Sequence, residues 1–302
     1  MRNVCVIGGS RYFGRHLIEL LRASGARVTV VNRGSSAPPD GVDHVIADRD
    51  DEDGFSAALA GRTFDVVLDQ VCYRPQQAAI ARRVFAGRTG RYVMTSTMEV
   101  YDPATSDLLR PSRPGVAVTE RSVDPGVWPA RPVHTADEAV DYAEGKRQAE
   151  AVFTRDPVFP YVSVRSAHVL GGGGRDFTGR LTHYVRRVAA GEPVVIHRDP
   201  FPTSFVNDRE IAELLYWAAG AEFTGPVNAC SDGELSVTEL CSLVAARVGR
   251  EPVYQVSGDG HASPYSFDRY YAMDNGRATR LGFTFSKAAE WLPDAITESL
   301  EA

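Results

Sequence analysis

The sequence predicts an α/β chain built on a doubly wound parallel sheet, followed by a smaller C-terminal lobe. Three observations predict it. A short apolar run, Asn3 to Ile7, passes straight into a glycine turn and then into a segment whose apolar residues recur at helical spacing. Strand-like and helix-like segments then alternate over residues 1–166, as they do when parallel strands are joined by crossover helices. Third, Tyr142 and Lys146, the latter one of only two lysines in the chain, stand one helical turn apart.

The first strand, Asn3–Ile7, has no charged-then-apolar leader before it, so neither a signal peptide nor a transit segment is expected, and a cytoplasmic location follows as an expectation. The turn Gly8-Gly9-Ser10-Arg11-Tyr12-Phe13-Gly14 precedes a helix over Arg15–Arg22. Glycine there lets backbone amides at a helix N-terminus approach a pyrophosphate without side-chain obstruction, so strand, turn and helix read as a dinucleotide-binding unit. A second strand, Arg27–Val31, ends at Asn32-Arg33. A carboxylate for the adenosine ribose is usual near Asn32 in NAD-selective folds, and it is missing. Arg11 and Arg33 flank the place of a 2′-phosphate, which guanidinium groups pair well. NADP(H) is therefore expected over NAD.

A third strand, Val42–Ala47, ends in Asp48, an acceptor for the adenine amino group, and a fourth, Phe64–Leu68, ends in Asp69-Gln70, expected to line the adenosine side. The fifth, Arg91–Thr95, leads into Ser96-Thr97-Met98-Glu99. Between Tyr101 and Tyr142 lie Pro103, Pro111, Pro114, Pro125, Pro129 and Pro132, too many for regular structure, and a substrate-covering loop is expected there. On the helix that follows, a cation four residues from Tyr142 favours its phenolate and suits it to exchange a proton with a carbonyl/alcohol pair.

A sixth strand, Val162–Arg165, precedes the hinge Gly171–Gly174. Residues 1–170 are assigned to the cofactor domain, its sheet completed by segments near 203–230, and residues 171–302 to a discontinuous substrate lobe. The lobe is expected to hold a helix near Leu181–Ala190, a strand at Val194–Ile196 and a last helix with Trp291 and Leu292.

Composition narrows the classes. The 302 residues, 43% hydrophobic, suffice for a large domain and a smaller lobe. A net charge of −6 without a basic stripe argues against nucleic acid as partner. No apolar stretch is long enough to span a bilayer. Cys5, Cys72, Cys230 and Cys241 lack ligand-like spacing and read as reduced core thiols, with no metal site expected. The expected partner is a small-molecule substrate, with a homodimer kept open.

With these motifs the chain resembles the short-chain dehydrogenase/reductase superfamily, in the extended and atypical branch that holds the NAD-dependent epimerase/dehydratase-like proteins. The glycine turn resembles the branch's Gly-Gly-Thr-Arg version, and Tyr142/Lys146 match its Tyr-x-x-x-Lys. The likeness continues through Val162–Arg165, Phe205–Asp208 and Arg277–Phe283. It implies a Rossmann domain and a catalytic set of Thr97, Tyr142 and Lys146, with Ser96 the nearest competitor of Thr97. Lys146 would also bind the nicotinamide ribose. His168 falls at the nicotinamide end by position and is left outside the catalytic set. Thr97-Met98-Glu99 is similar to the Thr-x-Glu of nucleotide-sugar dehydratases, which makes Glu99 a candidate base, although Met98 departs from that pattern. Where nucleotide-sugar enzymes carry an arginine for the diphosphate, this chain has Phe201, with Arg198 nearby. The reading is an NADP-dependent reductase of a ketone or aldehyde. A nucleotide-sugar epimerase or dehydratase is the alternative, and a non-enzymatic NADP-binding regulator is a third.

Overall fold

The computed structural model of the chain describes residues 1–131, 137–258 and 260–302. Its first half is a run of strands and crossover helices: β1 Asn3–Ile7, α1 Tyr12–Ala23, β2 Arg27–Asn32, β3 Asp43–Ile46, α2 Glu52–Ala58, β4 Val66–Asp69, α3 Pro75–Phe85, β5 Tyr92–Thr97, α4 Glu138–Arg155 and β6 Tyr161–Ser166. There follow β7 His168–Leu170, α5 Arg180–Ala190, β8 Pro193–Ile196, β9 Phe205–Asn207, α6 Asp208–Gly220, β10 Gly225–Ala229, α7 Val237–Val248, β11 Val253–Val256, α8 Gly276–Leu281 and α9 Ala288–Leu300.

Seven strands form one sheet in the order β10-β6-β5-β4-β1-β2-β3. Val4 lies opposite Val28 of β2 on one side and Val66 of β4 on the other, both pairings parallel. The chain winds outward from β1 through β2 to β3, then returns to β4 on the opposite side of β1. Such a reversal opens a crevice at the carboxyl ends of β1 and β4, where open α/β sheets take their ligands. Burial on both faces requires near-continuous apolar strands: Val4, Cys5, Val6, Val66, Val67 and Leu68 are fully buried. Under one face Tyr92 stacks on Phe159 at 5.1 Å and Phe153 on Tyr161 at 4.7 Å.

The chain divides into two compact units. The first takes Met1–Leu109, Glu120–Ser166 and Ile211–Asn228; the second takes Arg110–Thr119, Ala167–Glu210 and Ala229–Ala302. In the second, β7 pairs with β9 and β8 with β11. There α5, α7 and α9 bury Leu181, Tyr184, Val188, Leu240, Val244, Leu292 and Ile296 in one core. Ser236 and Glu239 close a capping box at the start of α7. All four cysteines are buried, and none is in a disulfide among the described residues. Among the described residues no helix is long and apolar enough to cross a membrane.

Three expectations change. The first helix starts at Tyr12 and takes in Gly14, because Gly14 packs directly on Gly9. The fifth strand runs two residues past Thr95, since β5 stays in register with β6 as far as Thr97 opposite Ser166. The proline-rich segment is not irregular throughout. It forms 3₁₀ turns at Met98–Tyr101, Pro103–Thr105 and Glu120–Ser122, and Val118 bridges to Met273 within the second unit. Pro132 falls in 132–136, outside the described residues.

Candidate active site

The glycine turn crosses the carboxyl end of β1. Gly8 and Gly9 have φ of +78° and +74°, the left-handed region that favours glycine. A Cβ on Gly14 would lie 2.5 Å from both Gly9 Cα and Gln70 Oε1, and one on Gly9 would lie 2.7 Å from Gln70 Nε2. Any side chain at either glycine would therefore fill the place against which the Gln70 amide rests. Gln70 follows β4, is 9% exposed, and its Nε2 has no hydrogen-bond partner among the described residues. A buried amide left unpaired is costly. A glycine-only cradle with an unused donor at the sheet's reversal point fits an anionic dinucleotide pyrophosphate. Tyr12, at the first turn of α1, is buried and holds a φ of +52°, uncommon for a residue with a Cβ. Its ring lies edge-on to Phe13 at 5.7 Å.

Asn32 organises the end of β2. Its Nδ2 donates to Ser10 Oγ at 2.8 Å and to the Ser36 carbonyl at 3.0 Å. Its Oδ1 accepts from Gly34 N at 2.7 Å and lies 2.9 Å from His44 Nε2. Arg11 Nε donates to Ser36 Oγ at 2.9 Å. One loop thus gathers Ser10, Arg11 and Ser36, with Arg33 exposed beside them. Ser36 and His44 were not among the expected residues; four hydrogen bonds through one amide leave no periodic trace in a sequence.

Asp48 is exposed and accepts from Asp50 N at 3.0 Å. Asp69 differs from its expected place along the adenosine. Its carboxylate is fully buried and engaged inside the protein, accepting from Arg49 Nη1 at 2.6 Å, Tyr92 Oη at 2.5 Å and Val71 N at 3.0 Å. It ties β4 to β5 and to the β3–α2 connection.

Thr97 is the last residue of β5. Its Oγ1 accepts from Glu99 N at 3.2 Å, capping the 3₁₀ turn that starts at Met98. Ser96 points elsewhere, donating to Glu150 Oε1 at 2.5 Å in a buried network, so the competing hydroxyl is committed. Glu99 is half-buried on that turn. Asp137 caps α4 through Ala139 N and Val140 N. Tyr142 is 39% exposed while Lys146, one turn on, is 2% exposed. Lys146 Nζ donates to the Thr95 carbonyl at 2.8 Å, fastening α4 to β5 two residues before Thr97. The ammonium lies 5.8 Å from the Tyr142 ring centroid. Burial pushes the Lys146 ammonium down to about 8.

From Ala143 to Glu150 every residue of α4 is buried, although most are polar or charged. Arg147 donates to the carbonyls of Val100, Glu99 and Asp102 at 2.8, 3.1 and 3.4 Å and to Thr105 Oγ1 at 2.5 Å. It therefore grips the whole turn after Thr97. Glu144 accepts from Trp128 Nε1 at 3.0 Å, and Gln148 Nε2 donates to the Pro129 carbonyl at 2.6 Å. Much of the segment expected to cover a substrate is in this way fastened to α4.

In the second unit His168 sits among Phe205, Tyr265, Phe267 and Tyr271, stacked on Phe267 at 5.6 Å. Burial, then Arg180, pushes its imidazole down to about 3, so it stays neutral at physiological pH. Phe201 pairs its main chain with Phe267, Phe201 N donating to the Phe267 carbonyl at 2.9 Å, and Arg198 is exposed.

A family model described as the NAD dependent epimerase/dehydratase family matches residues 4–85, from β1 through α3. Over that stretch the chain resembles this family. Members are NAD(P)-dependent enzymes that bind a nicotinamide dinucleotide. Likeness of fold to solved structures extends over the whole chain. A UDP-glucose 4-epimerase from Thermotoga maritima with UDP-glucose superposes with a TM-score of 0.75 at 18% identity, covering 99% of each chain. That from Thermus thermophilus, in complex with NAD, gives 0.74 at 20% identity and 99% of each chain. A dTDP-glucose 4,6-dehydratase from Bacillus anthracis gives 0.76 at 13% identity, over 100% of this chain and 97% of that one. In sequence the chain is 26% identical over 201 residues to the 2′-dehydrokanamycin reductase of Streptomyces kanamyceticus, which covers 65% of this chain and 51% of that protein. The chain thus spans about half the length of the curated relative it matches.

Proposed function

We propose that this chain is an epimerase/dehydratase-like, NADP-dependent oxidoreductase that reduces a ketone or aldehyde group of a small molecule. The observation that carries the reading is Lys146, buried, donating to the Thr95 carbonyl, two residues from Thr97 and one turn from Tyr142. Gly8, Gly9, Gly14 and Gln70 would hold the pyrophosphate, Arg11, Arg33 and Ser36 the 2′-phosphate, and Lys146 the nicotinamide ribose. Bound NADPH supplies the hydride. Thr97 orients the substrate oxygen, and Tyr142 delivers the proton that turns it into the alcohol. Lys146 then faces the phenolate left behind, an opposite charge one helical turn away that favours that form.

NADP is favoured because Asn32 brings no carboxylate to the loop, while Arg11 is hydrogen-bonded into it through Ser36. Reduction is favoured over nucleotide-sugar chemistry because Phe201 offers no charge for a diphosphate. The sequence relationship to a reductase points the same way. Glu99 supports the second reading, an epimerase or dehydratase, since its N–H bonds the Thr97 hydroxyl and places a carboxylate on the same turn.

The test is NADPH oxidation by the purified chain across a panel of ketones and aldehydes, with Tyr142→Phe as control. Removing the proton donor should cost about 10²- to 10⁴-fold in turnover with cofactor affinity preserved. Undiminished turnover in Tyr142→Phe would move proton transfer elsewhere. Copurifying NAD(P) together with micromolar binding of UDP, dTDP or GDP would replace the reductase with the second reading.

A further inference from the structure

Lys146 is a buried cation without a counter-ion. Among the described residues it makes no ion pair. The charged and titratable groups around it are Asp69 and Cys72 from β4 and the turn beyond, Arg49 from the β3–α2 connection, and Glu150 from its own helix. Both carboxylates are engaged elsewhere. Asp69 is taken by Arg49 and Tyr92, and Glu150 by Arg165 at 2.6 Å and by Ser96. The Thr95 carbonyl satisfies one of the three ammonium hydrogens.

The remaining neighbour is aromatic. Tyr73, on the turn between β4 and α3, places its ring centroid 4.6 Å from Lys146 Nζ, closer than the Tyr142 ring at 5.8 Å. The two rings are themselves 6.1 Å apart at 44°. The Tyr73 ring is held on an ordered support. Tyr73 N donates to Gln77 Oε1 at 2.8 Å, and Gln77 Nε2 donates to the Asp50 carboxylate at 2.9 and 3.2 Å. Pro75 starts α3 two residues on, where its fixed φ suits a helix N-terminus.

We propose that Tyr73 is a positioning residue for Lys146: its ring face replaces the counter-ion that the buried ammonium lacks and holds that ammonium between Thr95 and the Tyr142 ring. Desolvation, then Asp69, raises the Tyr73 phenol, so the group presented to Lys146 is a neutral ring and the attraction is that of its π-face. The consequence is that Lys146 keeps its charge at neutral pH in a place where burial opposes it. The inference concerns the lysine itself, and it rests on the proposed reaction only for its effect on turnover.

Two lysines make a direct test practical. With lysine labelled at 13Cε and 15Nζ, the full chain gives two signals, and the exposed Lys287 serves as internal reference. The titration is run without cofactor or substrate. The Lys146 midpoint is expected near 8 and unchanged in Tyr73→Phe, which keeps the ring. In Tyr73→Leu and Tyr73→Met, which keep apolar volume but lose the π-face, it is expected to fall by about half to one and a half pH units. The Lys287 midpoint should not move in any of them. A midpoint unchanged or raised in both aliphatic variants would overturn the proposal, as would an equal fall in Tyr73→Phe, which would transfer the effect to the hydroxyl. Because neither cofactor nor substrate enters, failure of the proposed reaction would leave this result standing, and the reverse holds equally.

Discussion

Arg165 of β6 and Glu150 of α4 form an ion pair of 2.6 Å in which both side chains are 1% exposed or less. The guanidinium also donates to Tyr101 Oη at 2.8 Å and to the carbonyls of Glu120 and Val123 at 3.1 and 2.9 Å. Desolvation by burial lowers the Arg165 guanidinium, but Glu150 and Tyr101 together raise it by more. Removing one partner strands a buried charge. Glu150→Ala or Arg165→Ala should therefore lose about 3–5 kcal/mol of stability. The joint replacement Glu150→Leu/Arg165→Met should lose less than the sum of the single changes. Urea unfolding of the singles and the double checks this, and additive losses would show that the pair is not coupled.

The parts of the site that short-range pattern encodes were legible. The glycine turn follows a strand by chain order alone, Asn32 closes the next strand, and Tyr142 and Lys146 share a helix face by spacing. Their placement at strand ends and on one helix agrees with that reading. Arg147, Arg165 and Glu150 were not legible, because charged residues on a helix or strand read as a solvated face until their partners are known, and most of those partners lie 15 to 64 residues away. Asp69 was misplaced for the same reason. A carboxylate at a strand end suits a ribose, and only the position of Arg49, 20 residues upstream, turns it inward. Tyr73 meets Lys146 across 73 residues of chain. In the second unit β7 and β9 have three residues each, too few for periodicity to register.

Arg147 supports Thr97 indirectly by binding the main chain that follows it. A lysine in its place could reach one carbonyl but not the spread over Glu99, Val100 and Asp102, since it lacks the planar fork. Arg147→Lys is expected to fold, to bind NADPH normally, and to lose turnover with little change in KM, because in the proposed reaction the misplaced turn would alter how Thr97 orients the reacting oxygen. Steady-state kinetics on an identified substrate, beside an NADPH titration, measures it. A loss confined to KM would assign the turn to substrate binding.

Lys146 should be held against stability. Its ammonium falls from 10.5 to about 8 on folding, so below pH 8 both folded and unfolded states carry the charge and the burial cost is fully present. Between pH 8 and 10.5 the folded state sheds its proton while the unfolded state keeps it, and stability rises with pH. Lys146→Met should therefore be more stable than the parent near pH 7, by about 1–2 kcal/mol once the lost Thr95 contact and cation–π attraction are subtracted. The advantage should shrink steadily above pH 8. Thermal melts from pH 6 to 10 would show it, and a variant less stable at every pH would place the lysine among the stabilising groups.

The loop after β2 gives the final prediction, on cofactor choice. Arg11 reaches this loop through Ser36 Oγ, whereas Asn32 holds it together through Ser10, Gly34, Ser36 and His44. The two residues should therefore fail differently. Arg11→Ala would remove the proposed charge-assisted partner of the 2′-phosphate and should weaken NADPH by about 1.5–3 kcal/mol, tenfold or more, while leaving NADH unchanged. Asn32→Asp does more than add a charge. An aspartate has no N–H for Ser10 Oγ or the Ser36 carbonyl, and it sets its own oxygen against that carbonyl, so the loop opens. NADPH should then weaken further than in Arg11→Ala, and NADH should gain little despite the new acceptor for its ribose. Fluorescence titration of both cofactors with both variants decides it. Equal losses of NADPH and NADH in Arg11→Ala would remove the 2′-phosphate from this loop, and with it the case for NADP.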